Sequence, residues 1–572
     1  MSRQPGLAAK SWPMWILAAV LCLLAAVAPA QQPAGATQPS APASPQTTAP
    51  GQAPAQAPGQ APGQDKSKPQ THITPAQAQQ LFSLVDDLLK FSSQETGLPI
   101  KSEVKRQLTT RAAVESYLNE KFNEDEDARR MQRSEIVLKK FGLLDRDFDL
   151  KPFLLALLKE QIEAYYDPKT KTVNLLDWIS VEEQKPVLAH ELTHALQDQH
   201  IDLEKWSDQT PPDVSLKSSD DNSHLAKDEL DTAREAVTEG QATAVMMDNI
   251  LKPMGHSLLK DPEVVELIKQ QMTGAADSPI LARAPLLLSE SLLFPYREGL
   301  SFEQDVWMDQ GQAAAFTGAL DRPPASTWEI INPREYEKGH LPPVPLLPDI
   351  HPLVDKLYRP YDIGQVGQLD LHILAGLFGG DNAARGLTPA WDGGLYWAGQ
   401  LRSATPAQRD STQSIALFYL SAWRNAPAAQ AFARLYAEEL GRKYSGLKPD
   451  TAAARTAPAD NGDVAQVYTT SEGPVVITTR GKLVFVTESF PLDLARKLTA
   501  LVLDAQGTGA LQMAAARPAK PLGASGLDSE TWEQPREPLS ASFVRFFSNC
   551  GVMKAAVDAG LQSARFHAVT TR

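Results

Sequence analysis

Apolar residues recur three and four apart along several long stretches, the spacing of a single helical face. Leu81, Leu84, Val85, Leu88 and Leu89 mark such a face over residues 74–96. Val114, Tyr117, Leu118 and Phe122, then Ile136, Val137, Phe141 and Leu143, continue it over 103–143, and Phe153, Leu154, Leu157 and Leu158 over 150–164. The run Ile162–Leu176 differs. Two short β-prone stretches flank Asp167-Pro-Lys-Thr170, a turn sequence, so the pattern predicts a hairpin. Its second strand, Thr172–Leu176, is expected at a sheet edge, where it could take an extended peptide by strand addition.

Ser180-Val-Glu-Glu183 has the form of a capping box and starts the next helix. Pro186 stands too far inside for one unbroken helix, so a kink or a fresh start is expected there. Residues 201–228 are polar and read as a long loop; Lys227–Leu251 reads as helix. The stretch Leu341-Pro-Pro-Val-Pro-Leu-Leu-Pro348 is the expected domain boundary. Beyond it, 363–445 reads mostly as helix, interrupted at Trp391–Trp397 by two β-prone runs about an Asp-Gly turn. Val475–Val486 reads as a hairpin turning near Arg480-Gly481, and helices are expected at 491–504 and 541–562. The class is therefore α+β and predominantly helical. A catalytic-type domain spans 73–340, with a small sheet beside one central helix, and 341–572 forms a mostly helical part with β-hairpins.

The ends of the chain follow another logic. Arg3 and Lys10 precede an apolar run, Met14–Ala28, closed by Ala28-Pro29-Ala30. This is the form of a secretory signal over 1–30, cleaved after Ala30, and the run is short for a membrane span. An exported protein without a membrane span after cleavage is expected. Residues 31–72 are rich in Pro, Gln and Ala and cannot form a core; they are expected to be a disordered tether. Cys22 leaves with the signal, so Cys550 has no partner for an internal disulfide. A net charge of −14 argues against nucleic acid as the partner.

The chemistry concentrates in Val187-Leu-Ala-His190-Glu191-Leu-Thr-His194-Ala-Leu-Gln-Asp198, which contains His-Glu-x-x-His. Four residues apart on a helix, His190 and His194 can offer two imidazole nitrogens to one ion, while Glu191 reaches its open side as a general base. No histidine follows at the short spacing that would supply a third imidazole ligand. Glu235 and Glu239, four apart on the next helix, are both candidates for the third ligand, and spacing does not choose between them. Tyr296 is the first choice for a donor to a developing oxyanion, with Tyr166, His224 and Arg297 behind it. Gln197 and Asp198 are candidates to support the histidines from behind.

These segments resemble the gluzincin group of zinc metallopeptidases, whose third ligand is a Glu on a downstream helix, in several members within Glu-Gly-x-Ala. Glu239-Gly240-Gln241-Ala242 matches that form. The resemblance implies Glu239 as the ligand, with Glu235 second, and a zincin-like fold. Residues from about 60 to 340 are also similar to a group of exported bacterial proteins. These share Tyr-Asp-Pro (from Tyr166), His-Glu-Leu-x-His-Ala-Leu-Gln-Asp (from His190), the Glu-Gly-x-Ala helix, Phe-Pro-Tyr (from Phe294) and Pro-Pro-x-Ser-Thr (from Pro323). The expectation is an exported zinc-dependent metallopeptidase acting on a peptide or protein substrate. Its metal is Zn2+ on His190, His194 and Glu239, and its catalytic residues are Glu191 and Tyr296. The alternative is a non-catalytic envelope scaffold or binding protein with a structural or vestigial metal.

Overall fold

Two sheets and the helices between them organise the chain. The computed structural model describes residues 73–124, 126–207, 217–272, 278–455 and 463–506, with residues 543, 547, 552–559 and 561–562 near the C-terminus. The expected signal and tether lie outside the described residues, as do parts of 201–228 and 541–562; where described, the expected loop holds short helices at Leu203–Ser207 and Ser218–Leu225, and the expected last helix is interrupted by a strand at Val552–Met553. All that follows belongs to the unit Lys68–Arg572.

Thr74 caps the first helix, α1 (Pro75–Thr96), with a reciprocal bond to Gln77, and the helix buries Leu81, Val85 and Leu89. A strand that helical spacing concealed follows, β1 (Lys105–Thr109). Helices α2 (Arg111–Glu124), α3 (Glu126–Phe141) and α4 (Leu150–Gln161) lead to the expected hairpin, β2 (Ile162–Asp167) and β3 (Thr172–Leu176). Its strands pair antiparallel from Asp167 opposite Thr172 to Ala164 opposite Leu175.

The hairpin's second strand is not an edge. β1 runs parallel along it, and the order of the small sheet is β1-β3-β2-β11, where β11 is Val552–Met553. All five residues of β3 are buried, as a strand flanked on both sides requires. The expected peptide edge at Thr172–Leu176 is therefore covered.

Helix α5 (Val181–Ile201) runs unbroken from the Ser180–Glu183 capping box. Pro186 lies within it, so the helix does not start anew there; near the start of a helix, a missing N–H removes only one bond. Helix α6 (Leu230–Leu251) packs along α5, and α8 (Leu286–Gln310) packs along α6, with α7 (Pro262–Gln271) beside α8. A π-helical turn at Ala314–Gly318 follows α8.

The C-terminal half holds more strand than its sequence suggested. Residues 363–445 contain β4 (Tyr358–Gln365, from its sixth residue), α9 (Gln368–Leu387), β5 (Trp391–Leu401), β6 (Ile415–Trp423) and α10 (Ala426–Lys443). Trp391–Trp397 belongs to one strand rather than to two runs about a turn. Next come β7 (Lys448–Pro449), β8 (Val464–Thr470), the expected hairpin β9 (Gly473–Arg480) and β10 (Leu483–Glu488), and α11 (Leu492–Ala505). Together they form a seven-stranded antiparallel sheet, β4-β5-β6-β10-β9-β8-β7.

Both faces of the sheet are buried along its central strands. On β6, Ile415, Leu417 and Tyr419 enter the main core, while Ala416, Phe418 and Leu420 enter a second core with Leu498 and Val502 of α11. The main core also takes Leu192 and Leu196 of the metal-motif helix, so it runs through both halves of the chain. The Pro-rich stretch packs as well: Val344 and Leu347 are buried in the second core. Among the described residues no helix is long and apolar enough to cross a membrane.

Candidate metal centre

Helix α5 is buried on every side from Val187 to Asp198. Ser92 of α1 donates to the Ala189 carbonyl at 3.3 Å, β2 and β3 cover another flank, and α6 lies alongside. A helix so enclosed keeps polar side chains only where they have partners. The far end of α5 meets that demand through Asp198, which accepts from the Tyr166 hydroxyl at 2.7 Å and pairs with Lys171 at 2.8 Å.

The crossing of α6 and α8 sets the rest of the site. A Cβ on Gly240 would fall onto the backbone carbonyl of Gly299, and a Cβ on Gly299 onto the Ala236 carbonyl. The two backbones therefore touch where both helices lack side chains. This close approach puts Glu239, beside one glycine, against Tyr296, one turn before the other.

The structure brings together His190, His194 and Glu239. His190 Nε2 lies 3.1 Å from Glu239 Oε2 and 3.0 Å from His194 Nε2, and His194 Nε2 lies 3.6 Å from the same carboxylate oxygen. Three ligand atoms each about 2.05 Å from a tetrahedral zinc stand about 3.3 Å apart, so these spacings fit one face of such a site. Among the described residues this is the one group of three such donors that could share an ion. Glu235 is buried one turn earlier on α6 but is not part of the group.

The charges agree. Burial holds His190 down to about 4. Burial also works against a charge on His194, but the Glu239 carboxylate overrides it and lifts that imidazole to about 9. Burial would raise Glu239; the two histidines instead hold it down to about 2. The pocket thus favours a positive charge at the point where the three side chains meet, and a proton on His194 meets that need without a metal. A divalent cation would meet it more fully.

Glu191 is fully buried on the next position of α5, and its charge acts on both His194 and Tyr296. The Tyr296 ring lies 6.2 Å from that of His190, inclined by 26°. Burial, then the charges of Glu239 and Glu191, hold its phenol well above the ordinary value, so it keeps its proton. The other donor candidates are engaged elsewhere: Tyr166 with Asp198, Arg297 with Glu290 at 2.7 Å, and His224 with Asp228 at 3.2 Å.

Behind the histidines, Gln197 Oε1 lies 2.8 Å from His194 Nδ1, and Gln197 in turn meets Gln241 of α6. Gln241 was not singled out by sequence. Its signal was a long amide on a helix face shared with Val237, Ala244 and Val245, where every polar atom needs a partner. No protein-family model, no curated protein and no solved structure matches this chain.

Proposed function

We propose that this protein is an exported zinc-dependent metallopeptidase of zincin-like fold. The observation that carries the reading is the convergence of His190, His194 and Glu239, beside Glu191, with no fourth protein ligand joining them among the described residues. Three ligands leave one position open, the mark of a catalytic rather than a structural site. The small mixed sheet against α5 supports the zincin-like fold, and the leader pattern supports export.

Bound zinc would supply Lewis acidity, polarising a peptide carbonyl and acidifying water. Glu191 would accept the proton of the attacking water and pass it to the leaving amine. Tyr296, kept protonated, would donate to the oxygen that gains charge as the carbonyl carbon becomes tetrahedral. Glu239 and His190 share the ligand face, while Glu235 adds negative charge from one turn away.

Glu191→Gln tests the reading. The variant should hold about one zinc per chain and lose peptide cleavage by about 100-fold or more, the contribution of a general base. Cleavage at the wild-type rate would overturn the mechanism. One observation favours a second reading, a structural metal in a binding or scaffold protein: the His190 and Glu239 side chains are 0% and 3% exposed, and His194 only 11%. Tight zinc binding by a wild-type protein that cleaves neither peptides nor casein would support that reading instead.

A further inference from the structure

Gln241 ends a chain of buried amides whose orientation is fixed from its far end. Its Nε2 donates to the Ala315 carbonyl and to the Phe316 carbonyl, both at 3.0 Å. These are consecutive carbonyls of the π-helical turn Ala314–Gly318, a turn whose shifted bonding leaves carbonyls for other partners. A primary amide has two N–H bonds, and these two carbonyls take them, with the buried Glu303 carboxyl beside the same amide. Gln241 Oε1 can therefore only accept, and Gln197 Nε2 donates to it at 2.9 Å.

The other N–H of Gln197 goes to the Thr238 carbonyl at 3.0 Å. With both of its hydrogens used, Gln197 turns its carbonyl oxygen to His194 Nδ1 at 2.8 Å. An amide oxygen cannot donate, so Nδ1 must carry a hydrogen; once a metal displaces the proton shared with Glu239, the neutral ring is left with its lone pair on Nε2. Nε2 is the atom that faces His190 and Glu239.

We infer that the π-helical turn, acting through Gln241 and then Gln197, fixes His194 as the Nδ1-protonated tautomer and so presets its Nε2 as a metal ligand. Gln197 and Gln241 are positioning residues; neither is a ligand. The inference rests on the metal-centre reading above but not on peptidase activity. Outer partners that orient a ligating histidine usually change metal affinity by about 10- to 100-fold when removed.

The test is zinc affinity, measured by competition with a chromophoric chelator, for wild type, Gln197→Leu and Gln241→Met. Gln197→Leu removes the acceptor for Nδ1–H. Gln241→Met leaves that acceptor in place but frees the Gln197 amide to turn over. Both variants should bind zinc about 10- to 100-fold more weakly. The loss in Gln241→Met decides the matter, because Gln241 touches neither histidine. Affinity within about twofold of wild type in that variant, with the metal-free proteins equally folded by circular dichroism, would overturn the relay.

If a variant does not fold, wild type alone still decides. Nitrogen NMR of isotope-labelled histidine in the zinc-loaded protein should show an exchange-protected hydrogen on His194 Nδ1. Zinc bound through Nδ1 would overturn the inference. A wild type that binds no zinc would sink the metal-centre reading itself, and the inference with it; normal zinc affinity in both variants would sink the relay alone.

Discussion

Two imidazoles and a carboxylate held 3.0–3.6 Å apart would turn lone pairs on one another unless a positive charge sat between them. The arrangement is stable when buried only because Glu239 and His194 can form a charged pair, or because a metal takes the proton's place. At the proposed zinc site, Glu239→Ala would remove a ligand, whereas Glu235→Ala would remove only a nearby charge. The first should lose zinc under conditions where the second keeps about one ion per chain, read by elemental analysis after dialysis. Equal loss in both would return Glu235 to the site. The sequence named His190, Glu191 and His194 because one helix carries all three and helical spacing fixes their relation. Spacing could not choose between Glu235 and Glu239; only the resemblance of Glu239-Gly240-Gln241-Ala242 to Glu-Gly-x-Ala favoured Glu239. They share a face of α6, and what separates them is where another helix, with its own glycine, crosses.

That crossing belongs to the scale of elements. Alanine is a better helix former than glycine by about 1 kcal/mol, so propensity alone would make Gly240→Ala stabilising. Here the new methyl would meet backbone rather than a movable side chain, and overpacking of that kind costs about 1–3 kcal/mol or more. Gly240→Ala and Gly299→Ala should each lower stability to urea by about 2 kcal/mol, the clash outweighing the propensity gain. Gly386→Ala, in α9 with nothing within 4 Å of the new carbon, should leave stability level or raise it. The same urea curves check all three.

A second prediction at this scale concerns β2. Burial lifts the Glu163 carboxyl from 4.5 to about 8, although Lys554 pulls it back in part. The folded protein then holds a proton that the unfolded chain has released, so stability falls as pH rises from about 4.5 to 8. Glu163→Gln removes that penalty. Its gain over wild type should be small at pH 5 and reach the order of 3 kcal/mol at pH 8 by urea unfolding. A gain that shrinks with pH would contradict the buried neutral carboxyl. Strands were also where sequence reading fell short. Ile415-Ala-Leu-Phe-Tyr-Leu-Ser-Ala-Trp423 is apolar almost throughout because both faces of its sheet are covered, and such a run has no alternation to tell it from helix. The hairpin at Val475–Val486 was legible because Arg480-Gly481 marks its turn.

At the scale of the molecule, the two halves are joined by charge as well as by the common core. Lys140 of α3 is fully buried and donates to Glu472 at 2.8 Å and to Ser489 at 2.6 Å, beside β9 and β10. Arg146 reaches the same Glu472, and Lys443 pairs with Glu488 nearby. Lys140→Met leaves Glu472 to Arg146 and Thr412 but takes a buried donor from Glu472 and Ser489, so it should cost about 1–3 kcal/mol. Because one core spans both halves, zinc release and loss of secondary structure should shift together to lower urea. A variant that released its zinc at the wild-type midpoint while the large sheet melted early would show that the halves unfold separately.

The pairing of β11 with β2 has a consequence for the order of events as the chain is made. One flank of β2 is closed by its own hairpin within a few residues. The other waits for Val552–Met553, and the neighbouring bond from Ala555 to Gln161 spans 394 positions. Until the last part of the chain has emerged, the strand nearest α5 carries an open row of backbone donors and acceptors. A nascent chain, or one clipped after residue 506, would present that row to whatever extended segment came first.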